Sequence, residues 1–420
     1  MRRIPVFTIV AAVLVLAAAP ALFAAPNVTL TWWHNGSADP LLTLWQQVAD
    51  QYHKAHPNVA INVEPIQNEQ FTTKVPLALQ SNDPPDVYQQ WGGGQLATQV
   101  KSGKVADITR LVAPWVKELG GSVKGWQVGG RQYGIPYDLH VVGFWYRKDL
   151  FAKAGISGTP RTLADLNADV AKLKAAGVAP ISIGSKDRWP DAFWWEYFVL
   201  REVPAATLAR AMETEDFSAP SFLKAGDDLK AFLATSPFQD GFLGTPAQQG
   251  AGSSAGLVAN GQAAMELQGD WETSVMAALS TDTDLKAKLG WFPFPAVSGG
   301  GGDQTAMLGG GDGFSVTTKN AAAGADFLKF ISSTDVQTRL VKAGVASIPA
   351  NPAAKSAITD PNVKEISTYV GKASFVQTYF DIALPTDAGQ ALDSAVADYF
   401  GGQGGPDAIP ASVTAFSHKM

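Results

Sequence analysis

The residues that point most directly to a chemistry are tryptophans standing beside carboxylates and amides. Trp271 follows Asp270 in the run Gly269-Asp270-Trp271. The segment 187–196 carries Trp189, Trp194 and Trp195, the densest aromatic patch in a chain holding 12 tryptophans among 420 residues. A pyranose presents two apolar C–H faces and a hydroxyl edge. An indole covers a face, while carboxylates, amides and imidazoles bind the edge, the carboxylates with charge-assisted strength. Trp271 is a candidate to stack, with Asp270 beside it able to accept from hydroxyls, core packing being the alternative role for the indole. Trp189, on a loop before Pro190, is expected to face a cleft. Trp194 and Trp195 would lie on different faces of one helix, so one of them is expected in the core, and Trp194 is carried as the ligand candidate.

Other candidates stand where strands end, because ligands of α/β sheets sit beyond the carboxyl ends of the strands. The turn after the first strand offers His34 and Asn35, whose alternative role is to cap the turn's own backbone. Gln90 and Trp91 end the third strand, and Gly92-Gly93-Gly94 would let the backbone approach a ligand closely. Asn68 and Glu69 complete this half. The run Gly309-Gly310-Gly311-Asp312-Gly313 reads as a backbone-rich loop in which Asp312 either binds hydroxyls or closes a turn. Tyr379 is an additional candidate. His140 stands alone beside a strand and is assigned a structural role.

These side chains need elements to position them, and the hydropathy pattern supplies an alternating series. Residues 28–33 read as a strand. Asp39 and Pro40 open an amphipathic helix with Leu41, Trp45, Val48 and Tyr52 on one face. Val59, Ile61 and Val63 alternate as a strand. A helix over 71–79 contains Pro76, and a strand runs over 86–90. This β-α-β-α-β order predicts a lobe with a mainly parallel sheet. A second set follows: strands at 133–137, 141–146 and 180–183, helices at 163–175 and 222–233, an extended segment at 290–295, helical runs through Phe327 and Leu340, and a terminal helix with Leu392, Val396 and Tyr399.

Composition narrows the function classes. There is no cysteine, which rules out thiolate catalysis, cysteine-based clusters and a cysteine-linked lipid. Lys+Arg number 32 against 38 Asp+Glu, a net charge of −6, with no basic run to meet nucleic acid or an anionic membrane. Arg2 and Arg3, an apolar stretch and the small residues around Ala24 and Ala25 read as a signal peptide over 1–25. Its removal takes away two arginines and no acid, so the net charge goes from −6 to −8. Gly252-Ser253-Ser254-Ala255-Gly256 matches an esterase pattern but lacks the preceding hydrophobic strand. His53 and His56 are a solvated helical pair, too few to hold a metal. No cofactor is expected.

The chain resembles the extracellular solute-binding proteins of sugar-type ABC importers, the maltose-binding-like family. The matching motifs are Asp83-Pro84-Pro85-Asp86-Val87, Tyr133-Gly134-Ile135-Pro136-Tyr137, Phe144 through Phe151, Asn260 through Met265 with Gly269-Asp270-Trp271, and Phe327 through Gln337. Pro65 through Glu69 and Trp91 through Gly94 are similar to the branch that takes xylo- and gluco-oligosaccharides. The resemblance implies an α/β fold of two lobes joined by three crossing hinge segments, near 134–138, 291–296 and 331–335, around a central ligand cleft. One lobe would be 26–136 plus 296–331, the other 137–295 plus 332–420. Asp138, just past the first crossing, would face the cleft. The resemblance further implies a monomeric periplasmic binder of a neutral oligosaccharide that hands its ligand to membrane permease subunits, without catalysis. The rival expectations are a non-sugar solute such as glycerol phosphate, which calls for cationic side chains, and a secreted glycoside-active enzyme, which needs two flanking carboxylates.

Overall fold

The sheet begins with a parallel strand whose burial alternates, Leu30, Trp32 and His34 facing inward. The computed structural model describes residues 28–417; the expected leader 1–25 lies outside them. Among the described residues the strands are β1 (Val28–His34), β2 (Val59–Pro65), β3 (Val87–Gln90), β4 (Gln127–Val128), β5 (Arg131–Gln132), β6 (Gly134–Arg147), β7 (Ala179–Ser182), β8 (Ala263–Gly269), β9 (Leu289–Phe292), β10 (Met307–Val316), β11 (Ile348–Pro349) and β12 (Val376–Thr378). β1 pairs in parallel with β2 and β3, as the alternating pattern predicts. β10 then joins β3 and β6 antiparallel, and β8 and β7 continue beyond β6, in the order β2-β1-β3-β10-β6-β8-β7.

The sheet serves several separate cores, and the two largest mark the two lobes of the α/β architecture. In the first core Leu30 and Trp32 of β1 pack on Trp45, Val48 and Tyr52 from the helix Leu41–Ala55 and on Phe327 and Leu328 from the helix Ala321–Ile331. In the second, Val142 and Phe144 pack on Trp194, Phe198, Phe232 and Phe294. The amphipathic face of Leu41–Ala55 is the expected one; its N-cap is Pro40 and not the expected Asp39, which stands one residue earlier and accepts hydrogen bonds from the Thr43 amide (3.1 Å) and hydroxyl (2.5 Å).

Three passages carry the chain between cores. β6 has Ile135 and Tyr137 in the first core and Val142 and Phe144 in the second, so it crosses around 138–141. The strands expected separately at 133–137 and 141–146 are this one 14-residue strand. β10 crosses back, with Leu308 in the second core and Phe314 and Val316 in the first. The last passage lies between Ile358, against the first core, and Ile366, which packs with Trp291. Two expected crossings are thereby corrected. Phe292 and Phe294 remain in the second core, since β9 pairs with residues 144–147 of β6. Val336, Leu340 and Val341 remain in the first, since the apolar face of the helix Thr334–Lys342 closes on it. No helix among the described residues is long and apolar enough to cross a membrane.

Candidate functional site

The crossing strands bring acidic side chains to one point. β6 presents Asp138 and His140 on the same face, two residues apart, and register places Asp312 of β10 opposite Asp138. The residues 309–313, expected as a loop, are thus the middle of a strand. Gly310 stands opposite His140, and the ring of Tyr379 lies so close that a β-carbon at 310 would sit 2.4 Å from its Cε2. At the end of β8, Gly269 plays the same part for Trp271: a β-carbon there would meet the indole Cζ3 at 2.1 Å. The missing side chains let two aromatic rings fold over the strand ends.

His140 is the centre of the resulting cluster. Its Nδ1 lies 2.7 Å from Asp270 Oδ1, and its Nε2 lies 3.0 Å from Asp312 Oδ2 and 3.4 Å from Asp138 Oδ2. Gln89 donates from Nε2 to the other oxygen of Asp312 at 2.9 Å. The imidazole is 4% exposed. Burial disfavours its charge, but Asp138 and Asp270, with the hydrogen bonds to Asp270 and Asp312, outweigh that and hold its pKa well above the usual histidine range. Burial raises the Asp138 carboxyl well above the carboxylate range; His140 opposes this, and Asp270 and Asp312 add to it. The edge of Trp271 meets the imidazole at 5.0 Å between ring centres, with Tyr379 at 6.3 Å and Trp189 at 6.5 Å from Trp271. Within this cluster Asp270 Oδ2, Asp138 Oδ2 and the Tyr379 hydroxyl are buried and make no hydrogen bond within the protein. Such atoms are costly unless something pairs with them. Burial, Asp270 and Asp312 together push the Tyr379 hydroxyl well above its ordinary pKa, so it stays a neutral donor.

The other candidates divide. Asn35 and Asn68 meet on the rim, Nδ2 to Oδ1 at 3.2 Å, and the Asn35 amide faces Gln89 Oε1 at 3.4 Å. Glu69 accepts from Gln249 Nε2 at 2.8 Å. Gln249 lies on the loop before the helix Ser254–Ala259, beside the second core, so this bond joins the two lobes. Trp91 is half-buried against Phe71, 5.7 Å between ring centres, and also touches the second core. Trp189 is the first residue of the helix Trp189–Glu202, not a loop residue, yet it stays half-exposed beside Trp271.

Three candidates fall away. His34 is fully buried beside Trp32 and Trp45, at 4.9 and 6.3 Å between ring centres, and burial pushes its pKa down to about 3. It is a neutral core histidine. Gln90 points opposite to Gln89 and is consumed locally, donating to Gln99 Oε1 at 2.6 Å and accepting from the Gly92 amide at 2.7 Å. Trp194 is 1% exposed, stacked on Phe232 and edged by Phe144, Phe238 and Phe294. Gly93 and Gly94 also serve packing and not a ligand approach. They abut the backbone of Ile382–Leu384, where β-carbons would lie 2.4 Å from the Ile382 and Ala383 carbonyl oxygens. Sequence reasoning missed Gln89 and the central place of His140. Strand alternation carried both: His140 shares a face with Asp138, and Gln89 points opposite to Gln90.

Aromatic rings thus stand over fixed carboxylates near the passages between the two lobes. The chain belongs to the bacterial extracellular solute-binding protein family, whose sequence profile matches residues 36–338. Two uncharacterized ABC transporter extracellular-binding proteins of Pyrococcus horikoshii are 25% and 28% identical over 63% and 61% of this chain. The chain spans 59% and 58% of the length of these two curated relatives. The diacetylchitobiose binding protein DasA of Streptomyces coelicolor is 23% identical over 87% of this chain and 88% of its own. A structure from a study of xylan utilization by the thermophilic bacterium Caldanaerobius polysaccharolyticus is 27% identical with a TM-score of 0.84, over 92% of this chain and 99% of that one.

Proposed function

We propose that the protein is the substrate-binding component of a carbohydrate ABC import system, capturing a neutral xylo- or gluco-type oligosaccharide between its lobes and delivering it to membrane permease subunits. The observation that carries this reading is the half-buried Trp271 and Trp189 beside the Asp270–His140–Asp312 cluster, with Asp270 and Tyr379 each holding a buried polar atom that makes no hydrogen bond within the protein. The relatives named for diacetylchitobiose and studied for xylan use support a sugar ligand. The charged groups gathered here are three carboxylates and one imidazole, a set that repels a phosphate ester, so a neutral ligand is favoured over glycerol phosphate.

The lobes divide by core: roughly 28–138 with 313–358, and 141–308 with 366–417. Closure bends the three passages between them, and contacts to both lobes supply the energy. Micromolar affinity corresponds to about −8 kcal/mol, within reach of one stacked indole and several charge-assisted hydrogen bonds. The protein works as a periplasmic monomer and leaves the sugar intact. His140 and Gln89 occupy three of the four oxygens of Asp270 and Asp312, which holds these carboxylates as fixed acceptors and not as an acid and a base flanking a glycosidic bond. Asn35, Asn68, Glu69 and Trp91 form the rim on the first lobe.

The test is Trp271→Ala, titrated by calorimetry against xylobiose, cellobiose, maltose and chitobiose. The fold should be retained and affinity should fall at least tenfold, because the indole is half-buried, at the edge of the second core and beside the cluster, and not enclosed within that core. Unchanged affinity removes Trp271 from the site. Binding that weakens steeply with added salt would instead indicate a charged ligand.

A further inference from the structure

The sugar-binding reading leaves unexplained a fully enclosed imidazole placed among three carboxylates. Structural histidines in this chain look different. His34 lies among indoles and its ring nitrogens make no hydrogen bond. His140 instead makes short contacts through both ring nitrogens to carboxylates on two other elements, Asp270 after β8 and Asp312 on β10.

Resting on the carbohydrate-binding reading, we infer that His140 is the positioning residue of the site, a buried cation that holds Asp270 and Asp312 at fixed separation as acceptors for sugar hydroxyls. The geometry assigns each oxygen a use. Asp312 is pinned at both ends, by His140 and by Gln89. Asp270 is pinned at Oδ1 by His140, which leaves Oδ2 for a ligand. Asp138 has Oδ1 held by the amides of Leu139 at 2.8 Å and Ile348 at 3.3 Å, and Oδ2 turned toward the imidazole. The titratable groups facing His140 are Asp138 from its own strand, Asp270, Asp312, and the hydroxyls of Tyr137 and Tyr379, both of which feel Asp312. All are acids. Without a cation, the buried carboxyls of Asp138 and Asp270 and the half-buried one of Asp312 repel one another at this distance. They would take up a proton or swing apart, and the acceptor pattern would be lost.

The variant His140→Gln keeps a hydrogen-bonding side chain and removes the charge. Calorimetry with xylobiose, cellobiose, maltose and chitobiose is run on both proteins from pH 5.5 to 8.5. The wild type should bind its best sugar with an affinity that is flat across that range. His140→Gln should bind at least tenfold more weakly at pH 7.5 and recover severalfold as pH falls, because a shared proton replaces the missing cation. Adding Asp138→Asn should restore part of the affinity and flatten the profile. A variant that binds like the wild type, or more weakly but with no pH dependence, overturns the inference. Nitrogen NMR of the ¹⁵N-histidine-labelled wild type decides the matter even where the variant does not fold. One imidazolium should persist at pH 8.5, and its absence overturns the inference. A wild type that binds none of the four sugars, while keeping that imidazolium, refutes the carbohydrate reading and leaves the protonation result standing.

Discussion

Trp194 and Trp271 are the same residue type set to opposite uses, and the difference is where each ring packs. Trp194 fills the second core, in contact with four phenylalanines. Trp194→Ala should therefore lower stability by about 3–5 kcal/mol with sugar affinity unchanged in the molecules that remain folded, read by chemical denaturation alongside calorimetry. Trp271→Ala should show the reverse. At this scale the sequence was legible in which side chains lie together, and only in part. Asp138, Asp270, Asp312, Trp189 and Trp271 do converge. His34 and Gln90 were misread because position at a strand's end says nothing about which face a side chain takes. The period of two does: His34 shares a face with the buried Leu30 and Trp32, and Gln89 alternates with Gln90. Trp194 had no such signal. The helix Trp189–Glu202 is buried on nearly every side after its first residue, so it has no amphipathic stripe to reveal a cleft face.

Elements matter here through what their backbones leave open. Gly269 gives up its side chain to the Trp271 ring, and Gly310 to Tyr379. Gly269→Ala should displace the indole and weaken sugar binding severalfold or more, although no ligand contact is removed; calorimetry of the folded variant checks this, and retained affinity would show that the ring tolerates the displacement. The rim pair Glu69–Gln249 spans the lobes with a single hydrogen bond. Gln249→Ala should shift the unliganded protein toward more open shapes, raising its radius of gyration in solution scattering and weakening binding a few-fold, the scale of one such bond. Most elements were legible. The helices at 41–55 and 163–175 and the parallel strands β1 to β3 follow from periodicity. The glycine run 309–313 was not, since glycines that make room for Trp126 and Tyr379 inside a sheet are indistinguishable in sequence from those of a loop.

At the scale of the whole molecule, two cores share one sheet through β6 and β10. The lobe boundaries could not be read from composition, because an apolar residue such as Phe292 or Val336 suits either core and only strand pairing and helix docking assign it. The interior also carries carboxyls whose pKa burial raises: Asp191 to about 7, Glu272 to about 8 and Asp381 to about 6. Their folded values exceed their unfolded ones, so each adds stability at pH below its unfolded pKa that is lost as pH rises through the folded value. His34, lowered to about 3, works in the opposite sense, favouring the fold as pH rises toward 6.5 and no further. Between pH 6.5 and 8.5 Asp191 and Glu272 act unopposed by His34, and the melting temperature should fall across that interval; a rise would contradict the assignment of these two groups as raised in the fold.

The central claim is that the site between the lobes grips a neutral oligosaccharide and does not alter it. Its most direct test is calorimetric titration with xylobiose, cellobiose, maltose and chitobiose, followed by chromatography of the sugar recovered after hours of contact. The account predicts saturable binding of at least one of them at one site per chain, with an affinity near the micromolar range, and recovery of that sugar intact. Absence of binding to all four, or recovery of cleaved products, would contradict it.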